Sequence, residues 1–183
     1  IVSKPSVYQD QAIYYYAHLS YLMEDYESAL EYFNKIKGNP EYAESAPYYI
    51  IHIHYLQGRY EEIPALAEPL LASSNSKNNA DIARMAADAY YNNGEYAKAL
   101  PLLEDFVSKG RYNVSREDWY EIAYTYYQNN RYEDAINAFQ KTINPEDTMA
   151  QNSFYHLGDC YLKTNQKKFA ADAFHSAYTI NAR

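Results

Sequence analysis

The chain has 183 residues, a formal charge of −8 and 24 tyrosines against 6 phenylalanines and 1 tryptophan. Its longest apolar-looking stretch, 48–56, holds two histidines and falls far short of the roughly 20 apolar residues that span a bilayer, so no direct membrane insertion is expected. The acidic balance leaves no basic patch for phosphates, which argues against nucleic acid, and 1 cysteine can build neither an intrachain disulfide nor a cysteine-based zinc site.

In chain order, residues 1–9, with Pro5, read as the tail of a preceding element, and the start at Ile1 without Met or leader reads as a segment of a longer protein. From residue 10 the chain repeats itself. Residues 10–43 predict helices near 10–23 and 26–37 around Glu24, the second carrying Tyr26, Ala29 and Phe33. Residues 44–79 predict helices near 44–57 and 60–72 around Gly58, with Ile63 and Ala67 in place of the usual small and large residues. Pro64 falls in a first turn, where proline is tolerated, but Pro69 falls inside and is expected to bend or shorten that helix and change the superhelical pitch. A polar stretch, 73–79, follows. Residues 80–115 give helices near 80–93 and 96–108 around Gly94, with Tyr96, Ala99 and Leu103; Pro101 is placed in a first turn. Residues 116–150 give 116–129 and 132–143 around Asn130, with Tyr132, Ala135, Phe139 and Pro145 near the exit. Residues 151–183 give 151–164 and 167–180 around Asn165, with Lys167, Ala170 and Phe174.

The anchors Ala29, Ile63, Ala99, Ala135 and Ala170 recur every 34 to 36 residues. Five residues before each anchor stands Glu24, Gly58, Gly94, Asn130 or Asn165, and glycine or asparagine there tolerates the left-handed backbone that ends a helix. The small anchor lets two helices approach, and the large residue four positions on shares its face. Upstream, Trp119, Ile122, Ala123 and Tyr126, or Phe154, Leu157, Gly158 and Tyr161, recur at helical spacing. Each unit therefore reads as helix, tight turn, helix.

This pattern resembles the tetratricopeptide repeat. The fourth copy follows it with Trp119, Ile122-Ala123, Tyr126, Asn130, Tyr132, Ala135 and Phe139, and the fifth with Phe154, Leu157-Gly158, Tyr161, Ala170, Phe174 and Ala177. The resemblance implies an all-α fold, an α-solenoid of about five antiparallel helix pairs in a right-handed superhelix. No polar capping helix follows Ala177, which reads as more chain beyond.

The resemblance also implies that the fifth, ninth and twelfth positions of each first helix line a concave groove. These are Tyr14, His18 and Tyr21; Tyr48, His52 and Tyr55; Arg84, Asp88 and Tyr91; Tyr120, Tyr124 and Tyr127; and Tyr155, Asp159 and Leu162. Tyrosine is a rigid, amphipathic contact residue with little rotamer entropy to lose. The helix–helix core is not expected to need these side chains, so the surplus points to a groove for a protein or peptide ligand. The competing reading is that the rings only stack on one another between repeats. Arg84, Asp81, Asp88, Glu117, Asp159 and Lys163 give the groove a mixed, somewhat acidic charge that favours a polybasic or neutral ligand, and no first helix offers the Lys, Asn and Arg set with which chaperone-binding members hold an acidic C-terminal peptide.

No catalytic constellation is found and no cofactor is implied. His18, His52 and Asp88 could begin a metal site, but groove hydrogen bonding is the favoured reading. Cys160 reads as a buried, inert thiol. The function expected is a non-catalytic protein-interaction scaffold, a piece of a larger bacterial protein of the cell envelope or the cytoplasm. The alternative is a structural arm of a larger enzyme, receptor or envelope-assembly protein.

Overall fold

The computed structural model describes residues 8–73, 78–109 and 113–180. The chain divides into two compact units, Ile1–Asn93 and Gly94–Arg183. The first holds α1 (Gln9–Leu22), α2 (Tyr26–Ile36), α3 (Ser45–Leu56), a 3-10 turn (Tyr60–Glu62), α4 (Ile63–Ala72) and α5 (Asn79–Asn92). The second holds α6 (Tyr96–Ser108), α7 (Arg116–Gln128), α8 (Tyr132–Phe139), α9 (Thr148–Lys163) and α10 (Lys167–Thr179). Among the described residues there is no strand, so the fold is all-α, and within each unit every helix packs on its neighbours in sequence.

All five turns adopt the left-handed backbone. Glu24, Gly58, Gly94, Asn130 and Asn165 have φ of 60°, 67°, 76°, 59° and 60°. In four of them the next residue donates back to the carbonyl five positions earlier: Asp25 to Ser20, Arg59 to His54, Arg131 to Tyr126 and Gln166 to Tyr161. This motif satisfies carbonyls that a helix end leaves open. It also turns the chain sharply enough for α1 to meet α2, α7 to meet α8 and α9 to meet α10.

The anchors form the cores. Ala29, Phe33 and Ile36 of α2 are buried with Ala17 of α1 and with Tyr42, Ala46, Ile50 and Ile53. In the second unit Ala99, Leu103, Ile122, Ala123, Ala135, Phe139, Leu157 and Ala170 are buried. The close approach is tightest at Gly158, where a Cβ would stand 2.7 Å from the Phe174 ring.

Three predicted elements differ in extent. The helix expected over 60–72 opens as a 3-10 turn and is α-helical only over Ile63–Ala72, so it is shortened, with Pro69 inside it. Pro101 is the sixth residue of α6 and not in its first turn, so the N–H that would bond the Ala97 carbonyl is missing. The helix expected to reach 143 stops at Phe139 because Thr142 turns inward. Its hydroxyl bonds the Phe139 carbonyl at 2.7 Å and the Ser153 hydroxyl at 2.6 Å. The helix after it then starts early, at Thr148, where the Asp147 carboxylate accepts from the Ala150 N–H and from Arg116 at 2.6 and 2.7 Å. Of the expected N-terminal tail, residues 1–7 lie outside the described residues, and Gln9 already belongs to α1.

Candidate functional site

Within each unit the positions expected to line a groove lie on the first helices, and three of their tyrosine hydroxyls follow a rule. The twelfth-position tyrosine of one copy bonds the ninth-position residue of the next. Tyr21 Oη lies 2.7 Å from His52 Nδ1, and Tyr55 Oη donates to Asp88 Oδ2 at 2.8 Å. In the second unit Tyr127 Oη donates to Asp159 Oδ2 at 2.8 Å. The repeat period thus places a phenol and its acceptor one repeat apart, 31 to 33 residues in sequence.

In the first unit the rings are laid over the core. Tyr14 stacks on Tyr42 with centroids 4.9 Å apart and meets Phe33 edge-on at 6.0 Å. His18 and Tyr21 both meet Tyr49, at 5.1 and 5.0 Å, while Tyr49 lies parallel to Phe33 at 5.0 Å. Tyr48 lies parallel to His52 at 6.0 Å. Arg84 pairs with the buried Asp88 at 2.8 Å on the same helix, and Tyr91 is partly buried in the last turn of α5. In the second unit Tyr120 meets Phe139 edge-on at 5.8 Å, and Tyr124 meets Tyr96 at 5.7 Å and His156 at 5.2 Å. Tyr155 touches Phe174 edge-on at 5.9 Å but is 59% exposed, and Leu162 is 50% exposed.

These contacts correct one expectation. Tyr14 and Tyr21 are partly buried against the α1–α2–α3 core, so the core does use groove tyrosines. The inter-repeat stacking is present, and it includes Tyr42, Tyr49 and His156, which the motif did not flag. Tyr49 and His156 occupy the same repeat position, directly after a groove residue, and only that shared phase could have singled them out.

The electrostatics hold the hydroxyls as donors. Burial, followed by the Asp88 carboxylate, pushes the Tyr55 phenol well above its usual range. The hydrogen bond to Asp159, with burial, pushes Tyr127 up to about 12. Burial lowers His52 from its ordinary value, against a weaker pull from Asp81, which favours the neutral ring in its hydrogen bond with Tyr21. With that nitrogen engaged and His18 packed between Tyr14 and Tyr49, these two histidines serve the aromatic surface. Cys160 is fully buried, and burial pushes its thiol up to about 12.

Another concavity lies between α6, α7 and α8. It has a volume of about 360 Å³, with Val107, Trp119, Ile122 and Ala138 in its walls and Glu104 and Asp134 among its polar groups. Lys141 Nζ sits 3.3 Å from the Trp119 ring centroid, so the chain's own cation covers that aromatic face.

Antiparallel helix pairs closed by left-handed turns and stacked through small anchors define a helical-repeat protein of the solenoid class. The tetratricopeptide-repeat model matches residues 120–182, and the model of anaphase-promoting complex, cyclosome, subunit 3, matches residues 57–142. Together the two models span residues 57–182 and support a tetratricopeptide-repeat protein, a class that generally mediates protein–protein interaction. No curated protein sequence matches it. Solved structures are similar in fold. MamA AMB-1 superposes with a TM-score of 0.74 at 13% identity, covering 96% of this chain and 93% of that one. YrrB, described as a TPR protein with an unusual peptide-binding site, gives 0.72 at 19% identity, covering 92% and 84%. MamA from Desulfovibrio magneticus RS-1 gives 0.65 at 18% identity, covering 93% and 94%.

Proposed function

We propose that the chain is a non-catalytic scaffold of five repeats, part of a larger bacterial protein, that holds a protein or peptide segment against the aromatic face of its first helices. The observation that carries this reading is the phenol-to-acceptor ladder. Tyr21, Tyr55 and Tyr127 are each fixed by a bond to the next copy, so the face is rigid before a ligand arrives. A preordered surface loses little entropy on binding. On the same face Tyr155 and Leu162 stand out into solvent, an aromatic and an aliphatic anchor seven residues apart. Large exposed apolar side chains rimmed by polar groups mark interaction surfaces. Asp81, Asp88, Glu117 and Asp159 outweigh Arg84 and Lys163, which favours a neutral or basic ligand. The peptide-binding site ascribed to YrrB gives a precedent within the fold.

Alanine at Tyr120, Tyr124 and Tyr127 would not isolate the binding face. Those rings pack on Phe139, Tyr96 and His156, and one bonds Asp159, so their loss would also loosen the repeat. Tyr155→Ala and Leu162→Ala act on exposed side chains. A peptide selected from a random library against the whole chain should bind the double variant at least about tenfold more weakly, with an unchanged melting temperature. Unchanged affinity would sink the proposal.

A further inference from the structure

The phenols of the aromatic face fall into two sets. Tyr21, Tyr55 and Tyr127, at the twelfth position, spend their hydroxyls on the next copy. Tyr48, Tyr120 and Tyr155, at the fifth, do not. Their rings are held by His52, Phe139 and Phe174, yet none of the three hydroxyls is hydrogen-bonded to another described residue.

The acceptors are engaged in the opposite sense. Asp159 receives the Tyr127 hydroxyl, and Asp88 receives Tyr55 while pairing with Arg84. A peptide laid on this face finds phenol O–H donors for its carbonyls, while the strongest acceptors are already bonded. An N–H buried there without a partner is costly, and proline is the residue that has none. Spacing points the same way. Helix α7 packs directly on α9, and helices in contact lie about 8–10 Å apart, so Tyr120 and Tyr155 recur at about that interval. A polyproline II helix repeats every three residues, or about 9.3 Å. The face of a β-strand repeats at roughly 6.7 Å and the turn of an α-helix at roughly 5.4 Å, and neither matches. Charge sets the flanks: Glu117 and Asp159 outweigh Lys163 on α7 and α9.

We propose that the aromatic face of α7 and α9 takes a proline-rich segment in the polyproline II conformation with lysine or arginine at its ends. Its carbonyls accept from the Tyr120 and Tyr155 hydroxyls, and its proline rings lie on the phenol rings, as in other aromatic-lined grooves. This rests on the aromatic face being the binding surface and adds which segment that face holds.

NMR of the whole chain with labelled tyrosine rings, titrated with a decaproline peptide carrying two lysines at each end, tests it. The control is a peptide of the same length and charge with alternating glycine and serine in place of proline. The proline peptide should bind saturably, shift the Tyr120 and Tyr155 rings, and bind at least about tenfold more tightly than the control. Tyr120→Phe combined with Tyr155→Phe keeps both rings on Phe139 and Phe174, so the melting temperature should hold. Loss of the two hydroxyls should weaken the proline peptide about tenfold. Equal affinity for proline peptide and control, or for parent and double variant, overturns the proposal. If the proline peptide does not bind, while a library-selected peptide is weakened by Tyr155→Ala with Leu162→Ala, the face stands and its proline-rich occupant is wrong. If the library-selected peptide is also indifferent to that pair, the aromatic face falls with it.

Discussion

Glu24 stands where the other four turns carry glycine or asparagine, yet it adopts the same left-handed backbone, with φ of 60°. An L-residue with a Cβ in that region costs about 1 kcal/mol, which glycine avoids. Glu24→Gly is therefore expected to stabilise the chain by roughly 0.5–1 kcal/mol, seen as a higher urea midpoint with an unchanged slope. A lower midpoint would mean that Glu24 makes a contact worth more than the strain. Gly158 carries the opposite lesson. Gly158→Ala drives a methyl to 2.7 Å from the Phe174 ring, and overpacking of this kind costs about 1–3 kcal/mol. Gly158→Ala combined with Phe174→Leu should recover part of that loss in the same urea titration. At this scale the motif was largely legible, since glycine, asparagine and alanine have few substitutes where they stand. The roles of Tyr42, Tyr49 and His156 were not, because a ring partner is chosen by three-dimensional proximity and leaves no periodic mark.

Among the elements, helix identity followed from apolar spacing and turn chemistry, while two helix ends did not. The end of α8 depends on Thr142 bonding Ser153 eleven residues away, and the start of α9 on Arg116 reaching Asp147 from α7. Both are tertiary bonds that local propensity does not encode. The helices also carry an acid sensitivity. Burial lowers His52 in α3 and His156 in α9 below the ordinary value of 6.5. The folded chain then keeps them neutral where the unfolded chain already binds protons. Their contribution to stability is full above about 6.5 and falls as the pH drops through the lowered folded values. The carboxylates that face them oppose this shift: Asp81 pulls His52 upward and Asp159 pulls His156 upward, both more weakly than burial. Urea midpoints should therefore fall between pH 8 and pH 5.5, and His156→Gln should flatten the fall. A midpoint independent of pH over that range would contradict this. Further down, Arg116 holds the Asp147 carboxyl below the usual range, so the stability from that pair is present above about 3.8 and is lost on further acidification.

For the whole molecule, a period of 34 to 36 residues was enough to give the fold class. It did not give the division into Ile1–Asn93 and Gly94–Arg183, which falls inside the third copy, between α5 and α6, where composition does not change. The tyrosine excess divides by environment. Some rings are bonded between copies, some fill the core, and Tyr8, Tyr16 and Tyr178 are more than half exposed. Tyr112 lies outside the described residues. The central claim is that a partner lies along the first helices and not in the concavity around Trp119. Two-dimensional NMR of the labelled chain, titrated with a selected peptide, tests this most directly. The account predicts that the largest shifts fall on Tyr155, Asp159 and Leu162 and leave the Trp119 indole unmoved. Shifts centred on Trp119 and Lys141, with Tyr155 and Leu162 unchanged, would contradict it.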